Sequence, residues 1–224
     1  MAELVVAFDV PSGREAVDLA RRLPGLAWAK LGPVLYVREG PELVREFQAL
    51  GVKVFLDLKW HDIPSTVAGA VAAASELEVS LATVHAMGGR AMLEAAVRAA
   101  GTLALVGVTV LTSHDASSLE QVLGRGVPDV GIEVERLART SVAAGLRGVV
   151  ASGQEITLLR GALGPEPWIV VPGIRPAGDA LGDQARTVTP AEAVRGGATH
   201  LVVGRPITGA RDPVGAFQRV REEL

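Results

Sequence analysis

Lys53-Val54-Phe55-Leu56-Asp57-Leu58-Lys59-Trp60-His61-Asp62-Ile63-Pro64 holds a complete structural unit in miniature. A short run of Val, Phe and Leu reads as a strand over 53–58, charged residues gather at its end, and Pro64 suits the first turn of a helix. Helical periodicity then continues over 64–77. The same strand signal recurs at 4–9, 27–31, 81–85, 105–111, 148–151, 168–171 and 200–203. Helical segments fall between these strands at 14–23, 39–50, 91–100, 132–144 and 191–196, with Ser12 ahead of the first and Thr189-Pro190 opening the last. Several strand runs are continuously apolar rather than alternating, as expected of parallel strands covered by helices on one side and packed into a barrel centre on the other. Strict alternation through eight such units, without a linker or a change of composition, predicts a single-domain α/β fold spanning 1–224, a (β/α)8 or TIM barrel. An open doubly wound sheet is the alternative, but Phe8-Asp9-Val10-Pro11-Ser12-Gly13 lacks the glycine fingerprint usual after its first strand.

Composition narrows the function classes. With 224 residues, 49% hydrophobic and 21% charged, the chain can bury a substantial core. A net charge of -3 offers no field for a nucleic-acid backbone, so no nucleic-acid polymer is expected as a partner and any phosphate must be bound locally. The absence of Cys excludes disulfide and thiolate chemistry and fits a reducing cytoplasm, the expected location. The first ten residues have no basic segment ahead of their apolar run and carry Glu3 and Asp9, so no signal peptide is expected. The uncharged stretch 99–114 is too short for a bilayer span, so no membrane association is expected.

In a barrel of this kind the active site lies at the C-terminal ends of the strands. The residues there are Asp9, Lys30, Asp57 with Lys59, His85, Thr112, Ser152, Arg175, and Gly204-Arg205. Asp57 and Lys59 are two residues apart and point to one side of an extended chain, and Lys30 can lie beside them from the neighbouring strand. Alternating charges in a partly dehydrated site favour the charged form of each member. An ammonium fixed over a reacting carbon is then a ready proton donor, although a structural ion-pair cluster is the alternative reading. Pro172-Gly173-Ile174-Arg175-Pro176 and Gly204-Arg205-Pro206-Ile207-Thr208 follow the last two strands, where such barrels commonly bind phosphate. Between them 173–188 reads as a long binding loop that includes Gln184. Some polar residues have plainer roles open to them: Asp62 as a cap of the third helix, Ser152 with Glu155 as a capping box. His85 could line the site or sit satisfied in the core, His114 and His200 carry no functional signal, and Trp28, Trp60 and Trp168 are expected in the core or an interface. No short metal-ligand spacing is present.

The run from Asp57 to Thr66, Asp-Leu-Lys-Trp-His-Asp-Ile-Pro-Ser-Thr, resembles the signature of the orotidine 5'-monophosphate decarboxylase family. The resemblance extends along the chain through Ala7-Phe8-Asp9, Lys30-Leu31-Gly32, Val108-Thr109-Val110-Leu111-Thr112-Ser113 and the two phosphate segments. Trp60 stands where the family often has Phe, and Ser65 where it usually has Asn. What the resemblance implies is decarboxylation of a pyrimidine nucleotide by a homodimer, with no metal and no organic cofactor. Lys59 would be the proton donor, Asp57 would lie against the substrate carboxylate, and Lys30 and Asp62 would complete the catalytic array, Asp62 reaching into the partner subunit's site. Asp9 would hold ribose hydroxyls, Thr66 the ribose of the partner's ligand, and Thr112 the pyrimidine; Gln184 would bridge phosphate and base, and Arg175, Gly204 and Arg205 would surround the phosphate. Sugar-phosphate enzymes on the same barrel resemble the chain in an Asp-x-Lys-x-x-Asp core but use magnesium; the His-Asp-Ile-Pro extension, Gln184 and Arg205 argue against that branch. A catalytically silent nucleotide sensor is the reading from another class, and intact Asp57, Lys59 and Asp62 speak against it.

Overall fold

The computed structural model describes residues 2–176 and 188–224. Eight parallel strands pair in sequence order and β8 closes on β1, so the sheet is a closed barrel. They are β1 (Glu3–Ala7), β2 (Trp28–Leu31), β3 (Lys53–Trp60), β4 (Leu81–His85), β5 (Ala104–Val108), β6 (Gly148–Val150), β7 (Trp168–Val171) and β8 (His200–Val203). The helices that follow β1 to β4 are α1 (Gly13–Arg22), α2 (Pro33–Glu39) with α3 (Pro41–Ala49), α4 (Pro64–Glu76) and α5 (Gly89–Ala99). After β5 come α6 (Ala116–Leu123) and α7 (Val130–Ala143), after β6 α8 (Ile156–Leu163), after β7 α9 (Pro190–Gly196), and after β8 α10 (Arg205–Thr208) and α11 (Pro213–Glu222).

The expected alternation and the single TIM barrel are therefore present, with local differences. The helix expected over 39–50 is α3, which starts at Pro41 after Gly40 turns the chain at φ 65. α2, α6, α8, α10 and α11 were not among the expected segments. β5 stops at Val108 rather than 111, and β3 runs on to Trp60 through an irregularity in its pairing with β4. Ser12 and Thr189 cap α1 and α9 as expected, the latter in a reciprocal capping box with Glu192. Ser152 makes no such box with Glu155: its hydroxyl accepts from Gln154 N–H, while the N–H of Glu155 goes to the Ser152 carbonyl. Asp62 is not the cap of α4, which starts from Ile63 without a side-chain cap; its Oδ1 accepts from Ile63 N–H at 2.6 Å.

Period-two alternation explains why both strand faces are apolar. Leu4, Val6, Ala29, Leu31, Val54 and Leu56 point outward and join the layer between sheet and helices. Val5, Ala7, Phe55, Leu81, Val106, Val170 and Val202 point inward and fill the barrel above Trp28. Each Val, Leu or Phe among them contributes about 1.5–3 kcal/mol when fully buried, and the interior is a packed plug rather than a channel. One step further along these inward columns the residues become polar: Asp9 above Ala7, Lys30 above Trp28, Asp57 above Phe55 and Thr83 above Leu81. That change of polarity places the site at the C-terminal mouth.

Candidate active site

A cleft of about 440 Å³ opens on the barrel mouth. Its walls include Asp9, Lys30, Asp57, Lys59, Thr112, Arg175, Gly204 and Arg205, so eight of the residues singled out in the sequence converge on one space. Asp62 and Thr66 do not line it; both are exposed, Asp62 on the turn that leads into α4 and Thr66 in the first turn of that helix. Gln184 lies outside the described residues.

The charged groups form a chain. Lys30 Nζ stands 3.1 Å from Asp9 Oδ1 and 3.6 Å from Asp57 Oδ2, and the same Asp57 oxygen receives Lys59 Nζ at 2.9 Å. Lys30 and Asp57 are almost enclosed, with side chains 11% and 13% exposed, while Lys59 at 38% faces the cleft. Burial by itself would push the Asp57 carboxyl up; the positive charges of Lys30 and Lys59, and hydrogen bonds from Lys59 and Thr83, outweigh it and hold the group below its ordinary value. Asp57 is thus ionised at neutral pH, deep in a site where a lone carboxylate would be costly.

Backbone geometry aims Lys59. Leu56 pairs with Ala82 and Trp60 with Val84, so β3 spends four steps where β4 spends two, and a bulge carries 57–59. Within it Lys59 adopts φ 52, a left-handed conformation that costs a non-glycine residue about 1–2 kcal/mol. Thr83, wholly buried on β4, meets the bulge with its hydroxyl: Oγ1 accepts from Lys59 N–H at 2.8 Å and donates to Asp57 Oδ1 at 3.0 Å. The sequence reading missed Thr83, whose only signal was a polar residue inside the apolar run of β4.

The opposite wall is suited to an anion. Arg175, 8% exposed, donates to the Ile174 carbonyl at 3.2 Å, and Arg205 stands at the start of α10 beside Gly204. Gly173, with φ 75, turns the chain after β7. His85 stacks on His61 with ring centroids 5.3 Å apart, and its Nδ1 accepts from Met87 N–H. Burial first, then His61, Lys59 and His114, push His85 down to about 4, so it adds no positive charge beside Lys59 at neutral pH. Among the described residues, no group of three or more His, Cys, Asp or Glu side chains could hold a metal ion.

Residues 2–220 match the Orotidine 5'-phosphate decarboxylase / HUMPS family. The chain is 50% identical over 226 residues to an orotidine 5'-phosphate decarboxylase of Halorhodospira halophila, covering 99% of this chain and 95% of that protein. It is 49% identical to that of Opitutus terrae over 228 residues, covering 99% and 98%. Among solved structures, the crystal structure of orotidine 5'-phosphate decarboxylase from Lactobacillus acidophilus superposes with a TM-score of 0.88 at 32% identity, covering 100% of this chain and 99% of the other.

Proposed function

Because the chain belongs to the orotidine 5'-phosphate decarboxylase / HUMPS family, its reaction is the decarboxylation of orotidine 5'-monophosphate to uridine 5'-monophosphate in pyrimidine biosynthesis, and we propose that Lys59 delivers the proton to C6 without a metal or organic cofactor. The observation that carries the proposal is the chain Asp9–Lys30–Asp57–Lys59, which ends in an ammonium facing the cleft. When the bond from C6 to the carboxylate breaks, its electron pair stays on C6 in the ring plane, at right angles to the π system, where the ring cannot delocalise it. An ammonium at that carbon is attracted far more strongly as the charge develops than before it, which is the condition for lowering the barrier. The proton on Nζ then passes to C6, CO2 departs, and the neutral amine regains a proton from water. Asp57, ionised and held by Lys30 and Thr83, keeps the ammonium in place and lies against the departing carboxylate.

The remaining residues bind and orient. Asp9 takes ribose hydroxyls, Thr112 the pyrimidine, and Gln184 spans base and phosphate; Arg175, Gly204 and Arg205 take the phosphate, where guanidinium groups offer paired donors. Asp62 and Thr66, exposed and absent from the lining of their own cleft, serve the site of a second copy. Exposed Val34, Val37 and Ile63 supply apolar surface for that homodimer. The enzyme works in the cytoplasm, and no helix of the described residues is long and apolar enough to cross a membrane.

The test is loss of absorbance as orotidine 5'-monophosphate is converted by purified protein in excess EDTA. Full turnover supports the cofactor-free reading; turnover abolished by the chelator and restored by magnesium would assign the chemistry to a bound metal instead.

A further inference from the structure

The bulge in β3 presents a physical problem whose solution lies on β4. A strand that spends four residues against two of its neighbour leaves backbone groups without ladder partners, and one of them is the N–H of Lys59, held at φ 52. A buried N–H with no acceptor would drive the chain back toward regular pairing. The Thr83 hydroxyl supplies the acceptor at 2.8 Å, and its proton goes to Asp57 Oδ1 at 3.0 Å, leaving Oδ2 for Lys59 Nζ at 2.9 Å. One side chain, wholly shielded from solvent, therefore grips both ends of the lysine: its backbone directly and its ammonium through the counter-ion. The direction of the hydroxyl is fixed, because an N–H facing the oxygen forces its hydrogen toward the carboxylate.

We propose that Thr83 is the positioning residue for proton delivery, holding Lys59 in the bulge and Asp57 in register beneath it. This rests on the reading of Lys59 as proton donor. Thr83 does not line the cleft; it acts through Asp57 and Lys59, which do. Its loss leaves the phosphate and ribose contacts of Arg175, Arg205 and Asp9 in place, so the effect falls on turnover and not on affinity.

The experiment compares wild type, Thr83→Val, Thr83→Ser and Lys59→Ala for kcat and KM across a pH series, with thermal melts on each. Valine matches threonine in shape and takes no hydrogen bond, whereas serine keeps the hydroxyl. In Thr83→Val, kcat falls about 10- to 100-fold, the cost of a misplaced reacting group, while KM stays within about threefold of wild type. Thr83→Ser retains kcat within about threefold. The acid limb of the kcat profile moves to higher pH in Thr83→Val, since Asp57 has lost a hydrogen bond that favours its carboxylate. Unchanged kcat in Thr83→Val, or an equal fall in Thr83→Ser, overturns the proposal. Should the melts show Thr83→Val unfolded, Thr83→Ala, which only removes atoms, is judged by the same criteria. A Lys59→Ala enzyme that still turns over removes the proton-donor reading and this proposal with it; an inactive Lys59→Ala beside a fully active Thr83→Val removes only the role of Thr83.

Discussion

His200 lies at the floor of the barrel, 3% exposed, its ring 5.4 Å from Trp28 and 4.5 Å from Trp168. Burial, and then the charge of Lys53, push it down to about 4, so it is neutral when folded over the whole range in which an exposed imidazole takes up a proton. Between pH 6.5 and about 4 the unfolded chain binds the proton and the folded one does not, so stability is complete above pH 6.5 and declines as the pH falls. The loss attributable to this group is at most about 3 kcal/mol. His200→Gln should flatten that acid decline in urea unfolding curves at pH 7 and pH 4.5; an equal decline in both proteins would show that the imidazole is not the group responsible. Neither His200 nor Thr83 announced itself in the sequence: one opens an apolar run, the other lies inside one, and the partners of each are set by neighbouring strands. Asp9, Lys30, Asp57 and Lys59 were legible for the opposite reason. A charge at the end of an apolar strand is too costly to be buried without an opposite charge, so its position alone points to a cluster.

Strand-level packing depends on closeness as much as on hydrophobicity. Gly148 in β6 pairs with Trp168 in β7, and a Cβ at Gly148 would lie 2.0 Å from the Trp168 carbonyl oxygen. Gly148→Ala must therefore part the two strands near the barrel floor, and a loss of roughly 2 kcal/mol or more is expected. The urea midpoint measures it, and an unchanged midpoint would mean that the strands tolerate the separation. The eight strands and most of the helices around the site were readable because periodicity and local caps such as Ser12 and Thr189 are carried by neighbours in sequence. α2 was harder to read, because it opens from Gly32 without a side-chain cap. The β3 bulge had no local signal: it exists in the pairing with β4, and a pairing register is a long-range property.

For the molecule as a whole, the exposed Asp62 decides whether one chain makes a complete site. If each cleft takes its Asp62 from a second copy, Lys59→Ala and Asp62→Ala homodimers are both defective. Mixed dimers of the two contain one site with both groups intact. Unfolding and refolding an equal mixture should then restore up to about a quarter of wild-type activity, as a two-fold assembly requires. No recovery from a mixture shown to exchange subunits would confine the site to a single chain. The proposed chemistry, however, comes down to one amine and one carbon. Its most direct measurement is kcat of Lys59→Ala with orotidine 5'-monophosphate, followed by absorbance, beside uridine 5'-monophosphate affinity and a thermal melt to verify the fold. Turnover lower by several orders of magnitude in a folded protein that still binds the product is the expected result; turnover near that of the wild type would contradict the assignment of Lys59 as the group that meets the charge on C6.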